Sequence, residues 1–296
     1  MKSAHLRIFV LSFFVLVLIP DPLPAQDVPK DYQEVLTFLG RSGDFKANVL
    51  KVNIPRNDLH VTIAGQPTPT PFGFGGWVAM TKGDGGAEVL MGDLVLTQDE
   101  VNPVLSALLD HGIEVTALHN HFFFDEPRIY FMHVHAHGDA MSLAKAIKPA
   151  LDLIPRPPAP ASAPAPAGPA FNIVALDKIV GHQGEALGPV YKFTVGRDDL
   201  NLKEHGASIN ARMGLNSWAA FAGNESDAQV AGDIAMRESE VQPVLKALRA
   251  HKLNVVSIHH HMLGTQSPVI FLHYWGRGNP EKLAAGFRAA LDVLGK

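Results

Sequence analysis

The feature that most constrains this chain is a long internal repeat. "MGDLVLTQDEVNPVLSALLDHGIEVTALHNH" has a counterpart in "AGDIAMRESEVQPVLKALRAHKLNVVSIHHH", "RIYFMHV" in "VIFLHYW", and "LAKAIKPALDLI" in "LAAGFRAALDVL". Upstream, "LGRSG" matches "VGHQG" and "PRNDLHV" matches "GRDDLNL". Asp93 and Asp233 lie 140 positions apart, and Trp77 and Trp218 lie 141 apart, so the register holds over a domain's length. A period that long marks a duplicated folding unit rather than a solenoid repeat. Between the copies, "IPRPPAPASAPAPAGPA" (Ile154 to Ala170) is a Pro/Ala-rich linker with no packing surface, expected to run as polyproline II. The organisation read from sequence is a first unit over 26–153, a linker over 154–170 and a second unit over 171–296.

Each unit alternates strand and helix patterns. Val49 to Ile54 and Leu59 to Ile63 read as a hairpin around "PRND", with further strands near Gly76 to Met80 and Glu88 to Leu96. Thr97 followed by Glu100 has capping-box spacing and opens a helix running toward Gly112, with Pro103 close enough to its start to be tolerated. Two strands follow, Glu114 to His121 and Arg128 to His135, then a helix from about Asp139 to Leu153. Strands followed by a β-α-β-β-α order imply an α+β fold of antiparallel sheets with helices on one face, in two units expected to be related by pseudo-twofold symmetry.

The N-terminus places Lys2 and Arg7 ahead of an apolar run from Ile8 to Ile19, then Leu23, Pro24 and Ala25. This is the pattern of a secretory signal peptide over residues 1–25, since about twelve apolar residues fall short of the roughly twenty that span a bilayer. The expected product is periplasmic or secreted, with no stable membrane anchor after cleavage. The chain has no cysteine, which removes disulfides, thiolate ligands and a thiol nucleophile, so any metal must rest on His, Asp and Glu. A net charge of −4 without a basic stripe argues against nucleic acid as a partner.

Chemistry concentrates in the histidines. On a strand, residues i and i+2 point to one face about 6.5–7 Å apart, so His119 and His121, and likewise His259 and His261, can present two imidazoles to one ion. The next strand adds His133 in the first unit and His273 in the second. Three nitrogen ligands per unit suit a divalent transition metal, zinc foremost, with a position left for water or substrate. In a tight hairpin His119 falls opposite Tyr130 rather than His133. A triad therefore needs a bulge, a longer loop or ligands from the other unit. His135 and His137 are replaced by Trp275 and Arg277 in the second copy, which makes them weaker candidates as ligands or proton carriers.

Asp93 and Asp233 each follow a glycine and fall in a strand, where a charge is costly unless paired or coordinating. They and the repeated Glu100 and Glu240 are candidates for a fourth ligand or a general base, although a first-turn glutamate also caps a helix. Arg56 with Asp58, and Arg197 with Asp199, read as turn-stabilising pairs, with anion binding as the alternative. Trp77 and Trp218 read as core aromatics or as ligand platforms.

"HNH" is not the ββα nuclease site, which spreads those letters over many residues, and H-E-x-x-H, G-x-S-x-G and phosphate-loop motifs are absent. A cupin reading of His119, His121 and Glu126 fails to repeat, because Gln266 aligns with Glu126 and strong helices interrupt each unit. Through "EVTALHNH", "RIYFMHV" and "LAKAIKPALD" the chain resembles the LppY/LpqO family of bacterial exported proteins, built on a domain of unknown function, over nearly all of both units. It departs from that family in lacking a lipid-attachment cysteine and in carrying "HHH" in the second unit. The resemblance implies architecture and export but no reaction. The expectation is an exported protein with a His-based divalent metal site, acting as a metal-dependent hydrolase. The alternative is a non-enzymatic periplasmic protein that binds a small ligand or envelope partner.

Overall fold

The computed structural model describes residues 27–156, 167–264 and 268–295. The signal-peptide reading and most of the linker lie outside the described residues. The first unit contains α1 (Lys30–Leu39), β1 (Asp44–Lys46), β2 (Val49–Pro55), β3 (Val61–Ile63), β4 (Gln66–Thr68), β5 (Gly75–Lys82) and β6 (Glu88–Thr97), then α2 (Gln98–Asp110), β7 (Glu114–His119), β8 (Asp125–Glu126), β9 (Ile129–Gly138) and α3 (Ala140–Asp152). The second contains α4 (Ile173–Val180), β10 (Glu185–Leu187), β11 (Val190–Gly196), β12 (Lys203–Glu204), β13 (Ala207–Ser208), β14 (Asn216–Gly223) and β15 (Ala228–Arg237), then α5 (Val241–Ala250), β16 (Asn254–His260), β17 (Val269–Gly278) and α6 (Pro280–Leu291).

The two main sheets have the same strand order, β1-β2-β5-β6-β9-β7 and β10-β11-β14-β15-β17-β16, with every pairing antiparallel. The protein is therefore a duplicated α+β fold, two tandem domains of mostly antiparallel sheet with helices. β6 shows why each sheet is buried on both faces. Leu90, Leu94 and Leu96 pack toward the helices with Val104, Leu108 and Ile147, while Val89, Met91 and Val95 on alternate positions face the other unit. The order of layers is helices, sheet, sheet, helices.

The expected hairpin around "PRND" does not form. β2 pairs with β1 and β5, whereas β3 leaves the main sheet and pairs with β4 and β8. The cause is Arg56, which turns inward at the end of β2, is 1% exposed, and is clamped by Asp58, Glu100 and the Val95 carbonyl. The freed strand becomes an arm. Val61 and Ile63 of β3 pack with Val190, Ala220 and Trp275 of the second unit, and Leu202, Ala207 and Ile209 around β12–β13 pack back onto Val49, Ala79 and Val89 of the first. Helices α1 and α4, which periodicity did not mark, end at Gly40 and Gly181 with φ of 61° and 74°, the left-handed stop that glycine adopts without strain.

Candidate metal centre between the units

A row of side chains crosses the inner face of each sheet. In the first it runs Asn53, Trp77, Asp93, His133, Ala117 through successive paired strands, and in the second Thr194, Trp218, Asp233, His273, Ser257. The glycine before each aspartate permits close packing on the opposite face. A Cβ on Gly92 would meet the Trp77 carbonyl at 2.9 Å, and one on Gly232 would meet the Trp218 carbonyl at 2.3 Å.

A bulge corrects the register that a tight hairpin would impose. The ladder slips between Val115 and Ala117, and again between Val255 and Ser257, so His119 lies opposite Phe131 and shares a face with His133. The bulge also makes contact across the units: Thr116 Oγ1 donates to the His261 carbonyl at 2.8 Å, and Ser257 Oγ donates to the Asn120 carbonyl at 2.9 Å. Beyond β7 the chain leaves strand geometry, bringing His119 Nε2 and His121 Nε2 to 3.2 Å, far closer than an i, i+2 strand pair.

The six repeated histidines form one cluster rather than two. His119 stacks on His259 with ring centroids 3.9 Å apart, His121 on His273 at 3.5 Å, and His133 meets the edge of His261 at 3.7 Å. Phe131 and Phe271 back His121 and His261 at 3.3 and 3.7 Å. Asp93 Oδ1 lies 3.6 Å from His133 Nε2, and Asp93 Oδ2 lies 4.0 Å from His121 Nε2. Asp233 Oδ2 lies 3.8 and 4.0 Å from Nε2 of His273 and His261. These separations are too long for hydrogen bonds and no more than twice a metal–ligand bond of about 2 Å.

Among the described residues four sets have ligand atoms within 4.8 Å of one another: Asp93 with His121 and His133, Asp233 with His259 and His261, His119 with His133 and His259, and His119 with His121 and His273. The histidine clusters can hold a metal, and two of the four sets mix the units. The donors suit that use. His273 Nδ1 donates to the Gly232 carbonyl at 3.2 Å and His259 Nδ1 to the His260 carbonyl at 3.3 Å, which leaves the lone pair on Nε2, as in metal-binding histidines. Asp93 Oδ1, both nitrogens of His133, and Nε2 of His259, His261 and His273 are buried without a hydrogen-bond partner among the described residues. Each such group costs about 1–3 kcal/mol if nothing binds it.

Burial, aided by neighbouring imidazoles, holds His119, His121, His133, His261 and His273 well below the ordinary histidine value, and burial brings His259 to about 4. Burial first and the charge of Asp233 second push Asp93 well up, and burial takes Asp233 to about 8 against backbone N–H donors from Leu272 and Ile234. The imidazoles are thus neutral, the form that binds metal.

Glu100 and Glu240, expected as ligands or bases, are not brought to this cluster. Glu100 accepts from Arg56 at 2.7 Å and from the Thr97 backbone at 2.8 Å, and Glu240 accepts from Arg197 at 3.0 Å and from the Arg237 backbone at 2.7 Å. Both carboxylates are helix caps held by buried arginines, which also answers the alternative of anion binding at Arg56 and Arg197. His135 is committed elsewhere, between Glu204 of the second unit at 3.0 Å and Glu114 at 3.2 Å, and His137 stacks on His205 at 3.8 Å.

A cleft of about 610 Å³ opens between the units onto Asp93, Asp233, His121, His261 and His273. Trp77 and Trp218 line it as platforms, and each carries a lysine that sequence reasoning missed: Lys51 Nζ lies 4.3 Å from the Trp77 ring centre and Lys192 Nζ 4.5 Å from that of Trp218. Lys51 and Lys192 are 141 apart, so the repeat offset itself was the available signal. Burial pulls Lys51 down to about 8, with the charges of Lys192 and Arg212 adding to it. It also lowers Lys192, against Glu185, Asp93 and Asp233. A larger hollow of about 880 Å³ touches none of the six clustered histidines, and its Arg277 and Asp227 are paired with each other at 2.6 Å.

Residues 33–153 and 174–293 each match one protein family, so the match spans most of the chain in two tandem copies. The chain belongs to the family described as Domain of Unknown Function (DUF1259). Each DUF1259 copy supplies three histidines and one aspartate to the shared cluster. No curated protein matches the chain. Among solved structures it is similar to EtuB from Clostridium kluyveri, at 12% identity over 86% of this chain and 89% of that one with a TM-score of 0.20. It is also similar to the trimeric bacterial microcompartment shell protein PduB, at 13% identity over 83% and 86% with a TM-score of 0.20. At that degree of superposition neither carries an argument about fold or site.

Proposed function

We propose that the chain is a metalloprotein whose centre is built jointly by both units, with one divalent ion beside each aspartate. The observation that carries this reading is the convergence of buried, partnerless histidine nitrogens around Asp93 and Asp233. The Asp93–His121–His133 and Asp233–His259–His261 sets share no residue, so both ions can be held at once, while His119 and His273 lie between them and complete either shell. The reciprocal ring contacts support a pseudo-twofold axis passing between His119 and His259. The all-N/O donor set favours zinc, and a three-ligand site leaves a position facing the cleft.

The reaction class that fits is metal-dependent hydrolysis. A bound dication lowers the pKa of its water toward neutrality, and the cleft gives a substrate access to it. A second reading is favoured by one observation: no carboxylate at the centre is left over as a free general base, since Glu100 and Glu240 are held by arginines. On that reading the centre binds a small ligand without turnover.

Export rests on the N-terminal sequence pattern. The LppY/LpqO likeness rests on "HNH" and its following histidine strand. No helix among the described residues is long and apolar enough to cross a membrane.

The test is back-titration of chelator-stripped, untagged protein with zinc, read as a thermal midpoint and followed by a chelator-sensitive hydrolysis screen. A rise saturating at about two ions per chain is expected. No rise would sink the metal reading, and a rise without chelator-sensitive turnover on ester and phosphoester panels would favour the binding reading.

A further inference from the structure

The two lysines in the cleft serve neither the fold's ion pairs nor the metal centre. Lys51 and Lys192 are repeat counterparts, each stands over the equivalent tryptophan, and both line the cleft that ends at the aspartates. Neither ammonium has a carboxylate within 4.0 Å or a side-chain hydrogen bond among the described residues, although an ammonium carries three donors. The other cation of the cleft, Arg212, is already paired with Asp44 at 2.6 Å.

A lysine kept in a half-buried position without a partner is expensive, and a stacked tryptophan face recovers only part of what water supplied. Duplicated placement shows that the arrangement is not the accident of one loop. A group that accepts from both ammoniums at once, with flat faces beside it for an organic body, is a small molecule carrying an oxyanion.

We propose that the cleft binds a small oxyanion-bearing molecule, a carboxylate or phosphate compound, held between Lys51 and Lys192 with Trp77 and Trp218 flanking it and the Asp93–Asp233 centre at its inner end. The inference rests on the metal reading in one respect: the dications held at Asp93 and Asp233 add positive charge at the inner end of the cleft, where the aspartates alone supply none. With Asp44 answered by Arg212, Glu185 is then the one acid of the cleft left to oppose the lysines.

The test uses the full mature chain with inorganic phosphate and malonate as probes and glycerol as the uncharged control, by calorimetry, with metal content measured on the same samples. One or both anions bind and glycerol does not, and Lys51→Met and Lys192→Met each weaken binding at least about tenfold, the loss of one charge-assisted contact, with metal content unchanged. Phosphate against malonate tells which oxyanion is preferred. Acylation of lysines in the unmutated protein, mapped by mass spectrometry, gives a readout that does not depend on variants folding: the bound anion protects Lys51 and Lys192. Metal-replete protein that binds neither anion, equal binding by the lysine variants, or equal acylation with and without anion overturns the proposal. Lysine-dependent anion binding by protein that takes up no metal would leave it standing and overturn the metal reading alone.

Discussion

Arg56 and the trio His119, His121 and His133 belong to two buried polar clusters, both duplicated, yet their surroundings differ. The Arg56 guanidinium spends its N–H groups on Asp58, Glu100 and the Val95 carbonyl, and Arg197 repeats the pattern with Asp199, Glu240 and the Ala235 carbonyl. Around His133 no nitrogen has a partner, and the nearest carboxylate oxygen is 3.6 Å away. A buried polar network that satisfies itself fixes the chain's path. One that stays unsatisfied within the protein is shaped for something that binds from outside.

The largest expected effect separates the two clusters. Arg197→Met should cost about 1–3 kcal/mol, because the buried Ala235 carbonyl loses its donor and Glu240 keeps only Arg237 and the backbone N–H groups of Arg237 and Gly295; denaturant unfolding measures it, and the folded fraction should keep its metal. A loss under about 1 kcal/mol would contradict the structural role.

Next, His133→Met should remove the ion beside Asp93 while leaving the metal-free protein within about 1 kcal/mol of wild type, since the substitution conserves apolar volume and deletes two unpartnered nitrogens. A large loss in metal-free protein would place His133 with the structural network instead.

The pH dependence of metal-free protein is a third test. The histidines have folded pKa values below the ordinary 6.5, His259 about 4, so the unfolded state binds more protons and stability should rise from about pH 4 to 6.5. Asp233, at about 8, and Asp93 hold protons in the folded state above their unfolded values, which draws stability down from about pH 4 to 8; six histidines outweigh two aspartates below about pH 6.5, so the net fall runs from there to about 8. A maximum near pH 6.5 is expected in thermal scans, with the upper decline abolished in the Asp93→Asn/Asp233→Asn double variant. A midpoint that keeps rising to pH 8 would contradict the neutral aspartates.

The smallest effect is at an exposed pair. Lys82→Ala, which removes the Lys82–Asp31 contact at 2.6 Å, should change stability by less than about 1 kcal/mol.

Much of this was legible in the chain. The duplication gave two α+β units, and the Thr97–Glu100 box and Asp139 marked helix starts that the structure shows. Retention between copies singled out the six histidines and two aspartates that converge. What stayed hidden depends on contacts between the units, because periodicity speaks only of neighbours along the chain. Three histidines per unit read as two sites, whereas His121 meets His273 and His133 meets His261. Arg56 looked like a turn residue because nothing in "PRND" tells that its guanidinium turns inward to Glu100. Lys51 and Lys192 went unmarked, since the tryptophan beneath each comes from a separate strand.

The direct test of a centre shared by both units is the metal-to-chain ratio of untagged protein supplied with zinc, compared with His119→Ala and His259→Ala. The expected ratio is about two in the wild type, with either substitution weakening uptake at both ions because each ring touches ligands of the other unit. No stoichiometric metal in the wild type, or a ratio unchanged in both variants, would contradict it.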